Sequence, residues 1–168
     1  MSDYAVVGIE SMKVGAVNTT TYAMPSTFTT IVHLVEDSCK LIFESLEPTQ
    51  ITTEESDDVF LELQNAAKKS FEFATYDIGN DMLLLAFGGA SSGTLVWKSP
   101  TTATVTVERS IQMVSKTVNG KKHTFAIPHA SIRAGGELKF SKKVAGQLSF
   151  SGSVLKAGAV APIKRTLS

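Results

Sequence analysis

From Val105 onward the apolar residues Val105, Val107, Ile111 and Met113 hold odd positions, while Thr104, Thr106, Glu108, Ser110 and Gln112 hold even ones. A period of two predicts a long strand with one dry face and one wet face. Asn119-Gly120 follows. A type I′ turn needs positive φ at both central residues, so this pair predicts a hairpin. The chain returns through His123–Ile127, turns again near Ala134-Gly135-Gly136, and places Leu138 and Phe140 on one face of a further strand. Leu148, Phe150 and Val154 then alternate with Ser149, Ser151 and Ser153. Thr101–Val154 thus reads as a meander of long antiparallel strands, and the rest of the chain is organised around it.

Upstream, Phe28–Val35 and Cys39–Phe43 are β-rich runs separated by Glu36-Asp37-Ser38, which suits a tight turn. Val59–Leu63 and Phe71–Thr75 alternate and read as strands joined by Gln64–Ser70. Val59, Leu63, Ala66 and Ala67 also fit helical spacing, so a helix over residues 57–69 is the competing reading. One short helix is predicted over about residues 77–88. Asp77 or Asn80 can cap its start, Met82–Phe87 is a wholly apolar run, and Gly88-Gly89 stops it. Apolar on nearly all sides, it must be buried against an open end or face of the sheet. Gly93–Lys98, carrying Trp97, begins the next strand. The predicted fold is mainly β: an antiparallel β-sandwich or barrel-like domain with one short flanking helix.

A chain of 168 residues fits one domain, 1–168. Residues 1–27, rich in Thr, Ser and Gly, read as a flexible N-terminal arm in which Met12–Val17 can form a short strand. Residues 157–168 read as a C-terminal arm, because Pro162 bars a central strand but allows an edge strand or extended segment.

Sixteen basic residues balance sixteen acidic ones. Net neutrality argues against tight binding of nucleic acid, which needs a concentrated basic surface, and does little to oppose self-association. Cys39 is the only cysteine, which excludes an intrachain disulfide, and its apolar surroundings suit a buried thiol. Met1–Glu10 lacks a basic region followed by a long apolar core, and Met82–Phe87 is far short of the roughly 20 residues that span a bilayer. Neither a signal peptide nor a membrane span is therefore expected, and folding in a cytoplasm is.

The search for chemistry assigns no catalytic, cofactor-binding or metal-ligating residue, so the chain is not expected to be an enzyme. His33, His123 and His129 form no zinc-type cluster, and no Gly-x-Ser-x-Gly elbow is present. Gly88–Gly93 follows a helix instead of opening one and lacks the lysine of a phosphate loop. His33, inside an apolar run, reads as structural; His123 and His129, flanking a β-run, read as surface groups. Lys68-Lys69, Lys121-Lys122 and Lys142-Lys143 sit near predicted turns, where they keep turns wet and sheet edges from mispairing. Leu46–Asp58 has no apolar period and reads as a long loop, the kind that contacts partners. Its run Glu54-Glu55-Ser56-Asp57-Asp58 lacks the alternating acids, central Gly and closing Glu of a calcium loop, and reads as solvated.

Three stretches carry a family resemblance: Phe71–Gly89, from Phe-Glu-Phe-Ala-Thr-Tyr-Asp to Ala-Phe-Gly-Gly; the hairpin through Asn119-Gly120 into His123-Thr124-Phe125-Ala126-Ile127-Pro128; and Lys139–Lys143 through Leu148–Val154, with Ala161-Pro162-Ile163 near the end. Together they cover roughly the last hundred residues. In this order they resemble the tail tube proteins of long-tailed bacteriophages, which are similar in fold to type VI secretion tube proteins. The resemblance implies a structural virion protein of the tail, assembled in the host cytoplasm. Copies of itself would form hexameric rings that stack into the conduit for genome delivery. The tape measure and terminator proteins would be partners and DNA only a non-specific cargo. Thr106, Glu108, Ser110 and Gln112, on the wet face of the long strand, are the candidates for the lumen, although the same face suits an outer surface. Glu54, Glu55, Asp57 and Asp58 are the candidates for ring-to-ring contacts. A tail-end, connector or secretion-tube component of related fold, or a β-sandwich ligand-binding module, are the alternatives.

Overall fold

The computed structural model describes residues 5–168 except 46, 54–55, 64–66, 94–95, 103–105, 136–140, 142 and 144; of residues 53 and 56–60 it describes the backbone only. The Asn119-Gly120 turn forms as read, with φ of 50° and 77°. It joins β9 (Val107–Ser115) to β10 (His123–Gly135), which pair antiparallel with Ile111 opposite Ile127 and Met113 opposite Phe125. On its other edge β10 pairs first with β12 (Lys164–Leu167) and then with β11 (Leu148–Val154). The sheet grows outward from this pair. β1 (Ile9–Gly15) lies on β9, and β2 (Thr29–Ile31) on β1; β6 (Lys69–Thr75) lies on β11, and β3 (Lys40–Phe43) on β6. All these pairings are antiparallel.

The two ends of this sheet come together. Leu34, three residues past the end of β2, bridges Thr75 of β6, with Val35 N–H donating to Ala74 O and Tyr76 N–H to His33 O. Three residues span at most about 10 Å, so the eight-stranded sheet curls until β2 approaches β6. The result is a mainly β, antiparallel, barrel-like body. Its interior holds Met12, Val14, Ile31, Phe71, Phe73, Ile111, Met113, Ile127, Ile132, Leu148 and Phe150. Phe150 and Phe73, paired across β11 and β6, stack with ring centroids 4.6 Å apart.

The β10 strand changes phase halfway. Ile127 is buried in the core, and so are Ala130 and Ile132, because the register slips between Ile127 and Ala130. Pro128 sits in this bulge, where the missing N–H breaks no ladder bond.

The one α-helix among the described residues, α1, spans Asn80–Phe87 and buries Met82, Leu85 and Ala86 against the core. Gly88 ends it at φ 68°, as expected of a C-terminal glycine. The start differs from expectation. Gly79 is the N-cap and no side chain caps it; Asp77 accepts the Gly79 N–H, and Asn80 donates to Gly93 O. Behind the helix, β7 (Ala90–Ser92) and β8 (Val96–Lys98) form a small hairpin whose Trp97 Nε1 donates to Gly88 O at 3.0 Å.

Two expectations need correction. First, residues 9–27 of the expected N-terminal arm are packed on the sheet; residues 1–4 lie outside the described residues. Ile9–Gly15 is a strand between β2 and β9, and Met12 and Val14 are buried in the core. Residues 16–28 then fold back over β1, so closely that a Cβ on Gly15 would lie 2.5 Å from Pro25 Cγ. At the other end Lys164–Leu167 is an edge strand on β10, the use that Pro162 leaves open. Second, Leu46–Asp58 is not an irregular loop. Most of it belongs to a hairpin of β4 (Thr49–Thr53) and β5 (Ser56–Leu63). Residues 56–63 are therefore strand, not helix, and among the described residues β5 does not pair with β6. The tight turn at Glu36-Asp37-Ser38 forms as read, with Ser38 N–H donating to Val35 O at 3.2 Å, and the strands it separates, β2 and β3, lie at opposite ends of the sheet order.

Gly152 lies opposite Phe71, whose ring covers it. A Cβ there would lie 2.1 Å from Phe71 Cζ and 2.4 Å from Ser131 O. Gly152→Ala is expected to lower stability by about 1–3 kcal/mol through overpacking. Gly135→Ala, where an added Cβ meets nothing within 4 Å, should stay within about 0.5 kcal/mol. Urea unfolding of both variants checks the pair, and equal losses would contradict this packing.

Candidate functional site

The β4–β5 hairpin carries three exposed aliphatic side chains on one face. Its register sets Ile51 opposite Leu61 and Thr49 opposite Leu63, so these four share one face, while Gln50 and Glu62 share the other. Gln50 Nε2 reaches Glu62 Oε2 at 3.4 Å. Ile51, Leu61 and Leu63 remain 41%, 46% and 48% exposed. Among the described residues neither strand pairs with the eight-stranded sheet. A two-stranded ribbon is marginal alone in water, and this one keeps three aliphatic side chains half in solvent. Of the expected ring-to-ring residues, Asp57 and Asp58 lie on β5 of this hairpin, whereas Glu54 and Glu55 lie outside the described residues.

A second feature is a cleft of about 830 Å³ between the facing ends of the sheet. Ile31, Leu34, Leu41, Met113 and Phe125 supply its apolar wall, and β2 and β3, each paired on one side only among the described residues, border it. Cys39 also faces it. Burial pushes the Cys39 thiol up, against a smaller lowering by its hydrogen bond with Ser38. The thiol is therefore protonated at neutral pH and makes a poor nucleophile.

The expected lumen face divides. Thr106 and Glu108 are exposed and Gln112 is half-buried, all on the even-numbered side of β9 as read. Ser110 shares that side but is fully buried, which corrects its assignment to a wet surface. Residues 16–28 fold over it, and its Oγ donates to Pro128 O at 2.6 Å and lies 3.4 Å from Ala16 O. The hydroxyl thus satisfies the carbonyl at the β10 bulge.

The histidines also differ from expectation. His33 is exposed and takes φ 53° in the link from β2 to β6. His123 is buried beside Phe125, and neither ring nitrogen has a hydrogen-bond partner in the described structure. His129 is half-buried and bound on both sides: Nε2 lies 2.9 Å from Glu108 Oε2 and Nδ1 2.8 Å from Lys156 O. With both nitrogens facing acceptors, the Glu108–His129 pair has no lone pair for a substrate proton, so its geometry is not that of a general base. Sequence reading missed this pair because residues 108 and 129 meet only through the β10 bulge.

Ser110→Ala would leave the Pro128 carbonyl buried without its donor, with an expected loss of about 1–3 kcal/mol. Thr106→Ala on the exposed end of the same face should change stability by less than about 0.5 kcal/mol. Chemical denaturation of the two variants separates a packing role for Ser110 from a surface one.

No protein-family model matches this chain, and no curated protein matches it in sequence.

Proposed function

We propose that this chain is the structural subunit of a phage-type tail tube, which joins copies of itself into stacked hexameric rings that form a conduit for genome delivery. The observation that carries this reading is the β4–β5 hairpin, with Ile51, Leu61 and Leu63 aligned on one exposed face. Fully burying an aliphatic side chain contributes roughly 1.5–3 kcal/mol. Seating three half-exposed ones on a neighbouring copy would then contribute roughly 2–4 kcal/mol at each junction, repeated at every copy of the hairpin. The one-sided edges of β2 and β3 add main-chain donors and acceptors to the association, and a net charge of zero leaves little long-range repulsion between copies.

On this reading Thr106, Glu108 and Gln112 remain the lumen candidates. Glu108 sets a carboxylate on this face, a group that does not attract DNA phosphate. The implied setting is the virion tail, assembled in the host cytoplasm with tape measure and terminator proteins as partners. A second reading, a β-sandwich ligand-binding module, draws on the cleft of about 830 Å³, a volume within the range of small-molecule sites.

The double variant Ile51→Asp, Leu61→Asp tests the first reading. Electron microscopy and light scattering should show rings or tubes for the natural chain. The variant should keep the same far-ultraviolet dichroism and yet not polymerise. Tubes of normal length from the variant would refute the role given to the hairpin. A natural chain that stays monomeric and takes up a small ligand in the cleft would favour the second reading.

A further inference from the structure

His129 joins four separate parts of the fold. Its own strand is β10. Its Nε2 meets the Glu108 carboxylate of β9, and its Nδ1 meets the main-chain carbonyl of Lys156 in the link from β11 to β12. Its carbonyl accepts the Leu155 N–H at 2.9 Å from that same link. Across its ring lies Tyr22, with centroids 5.3 Å apart and planes tilted by 35°. Tyr22 belongs to the segment 16–28 that covers β1. It closes a tight turn there, its N–H donating to Asn18 O while Asn18 Oδ1 accepts the N–H groups of Thr20 and Thr21. On its other side the tyrosine ring approaches Gly158, where an added Cβ would come within 3.3 Å of it.

Carboxylate and carbonyl oxygens only accept hydrogen bonds. An imidazole that faces one of each can satisfy both only when both ring nitrogens carry protons, that is, as the imidazolium. The cation in turn lies within about 6 Å of the tyrosine ring, the reach of a cation–π contact. We propose that His129 is a pH-sensitive clamp: charged, it fastens the 16–28 segment and the β11–β12 link to the sheet, and on losing its proton it lets the segment go.

Glu108 supplies the charge that favours the cation. Glu108 is the acidic group facing the ring from β9, and the neighbouring Arg109 directs its guanidinium to the Glu108 carbonyl at 2.8 Å. Lys156 presents its carbonyl, and Tyr22 its ring. Burial alone would lower the His129 pKa. The Lys156 carbonyl and the Glu108 carboxylate, by hydrogen bond and by charge, outweigh it and raise the pKa above its ordinary 6.5. A raised folded value means that the stabilisation is fully present below the unfolded value of about 6.5 and is lost as pH rises through the folded one. The neutral ring keeps one N–H. One acceptor then faces a lone pair, and the contact with Tyr22 loses its charge.

Chymotrypsin cleavage after Tyr22, identified by mass and normalised to a small ester substrate at each pH, reads the release. Between about pH 5.5 and about pH 8.5, the range in which a histidine charge changes, cleavage of the natural chain should rise several-fold. Glu108→Gln keeps the side-chain shape and removes the charge, so the rise should move to lower pH. His129→Gln should abolish the pH dependence. Ring ¹⁵N shifts followed against pH should show both His129 nitrogens protonated at the acid end and a midpoint above 6.5. Cleavage independent of pH in the natural chain, an unmoved midpoint in Glu108→Gln, or a His129 midpoint below 6.5 would each overturn the clamp. Should His129→Gln fail to fold, the Glu108→Gln midpoint and the ring shifts still decide.

Discussion

The hydrogen bonds from Val35 N–H to Ala74 O and from Tyr76 N–H to His33 O join the two ends of a single sheet. Without them β2 and β6 would be remote, and the face that carries Met12, Ile111 and Phe150 would lie open to water. Local conformation is strained to make the joint: His33 and Asp37 both take positive φ, near 53° and 56°, a region that costs non-glycine residues roughly 1–3 kcal/mol. Buried hydroxyls hold it. Thr75 Oγ1 donates to Val32 O at 2.7 Å, and Ser38 Oγ donates to Val35 O while accepting the Ala74 N–H. Closing the sheet gives the chain an inside, and the helix α1 then has an apolar surface to lie on.

How much of this is legible in the sequence depends on the range of the interaction. The β9–β10 hairpin is legible because Asn119-Gly120 states its own backbone geometry, and α1 because an apolar run stopped by two glycines is a local signal. β1 is only half legible. Met12 and Val14 alternate, but the Thr-rich stretch after them looks like an arm, and the strand is made by neighbours a hundred residues away in β9. The β4–β5 hairpin hides for another reason: two register shifts between Ile51 and Thr53 break its period of two. The phase of β9 is read correctly, yet Ser110 is buried. Alternation reports which side a residue faces, and cannot report that residues 16–28 later cover that side. The same limit applies to His123 and His129, whose surroundings are assembled from distant segments.

Closure also determines what remains unsatisfied. Among the described residues the sheet's ends meet across residues 32–35, a cleft beside the joint is bordered by β2 and β3, each paired on one side only, and the β4–β5 hairpin pairs with no strand of the closed body. These two exposures are unlike. One is a concave apolar wall beside two strand edges; the other is a ribbon with three exposed aliphatic side chains on one face. A two-fold dimer needs a surface that complements itself. On the proposed reading, two unlike surfaces on one chain would suit head-to-tail contacts instead, which close into a ring or continue as a filament. Neutral net charge leaves geometry as the main constraint on such growth, so on the proposed reading the order of assembly is written in which copy's ribbon can reach which neighbour.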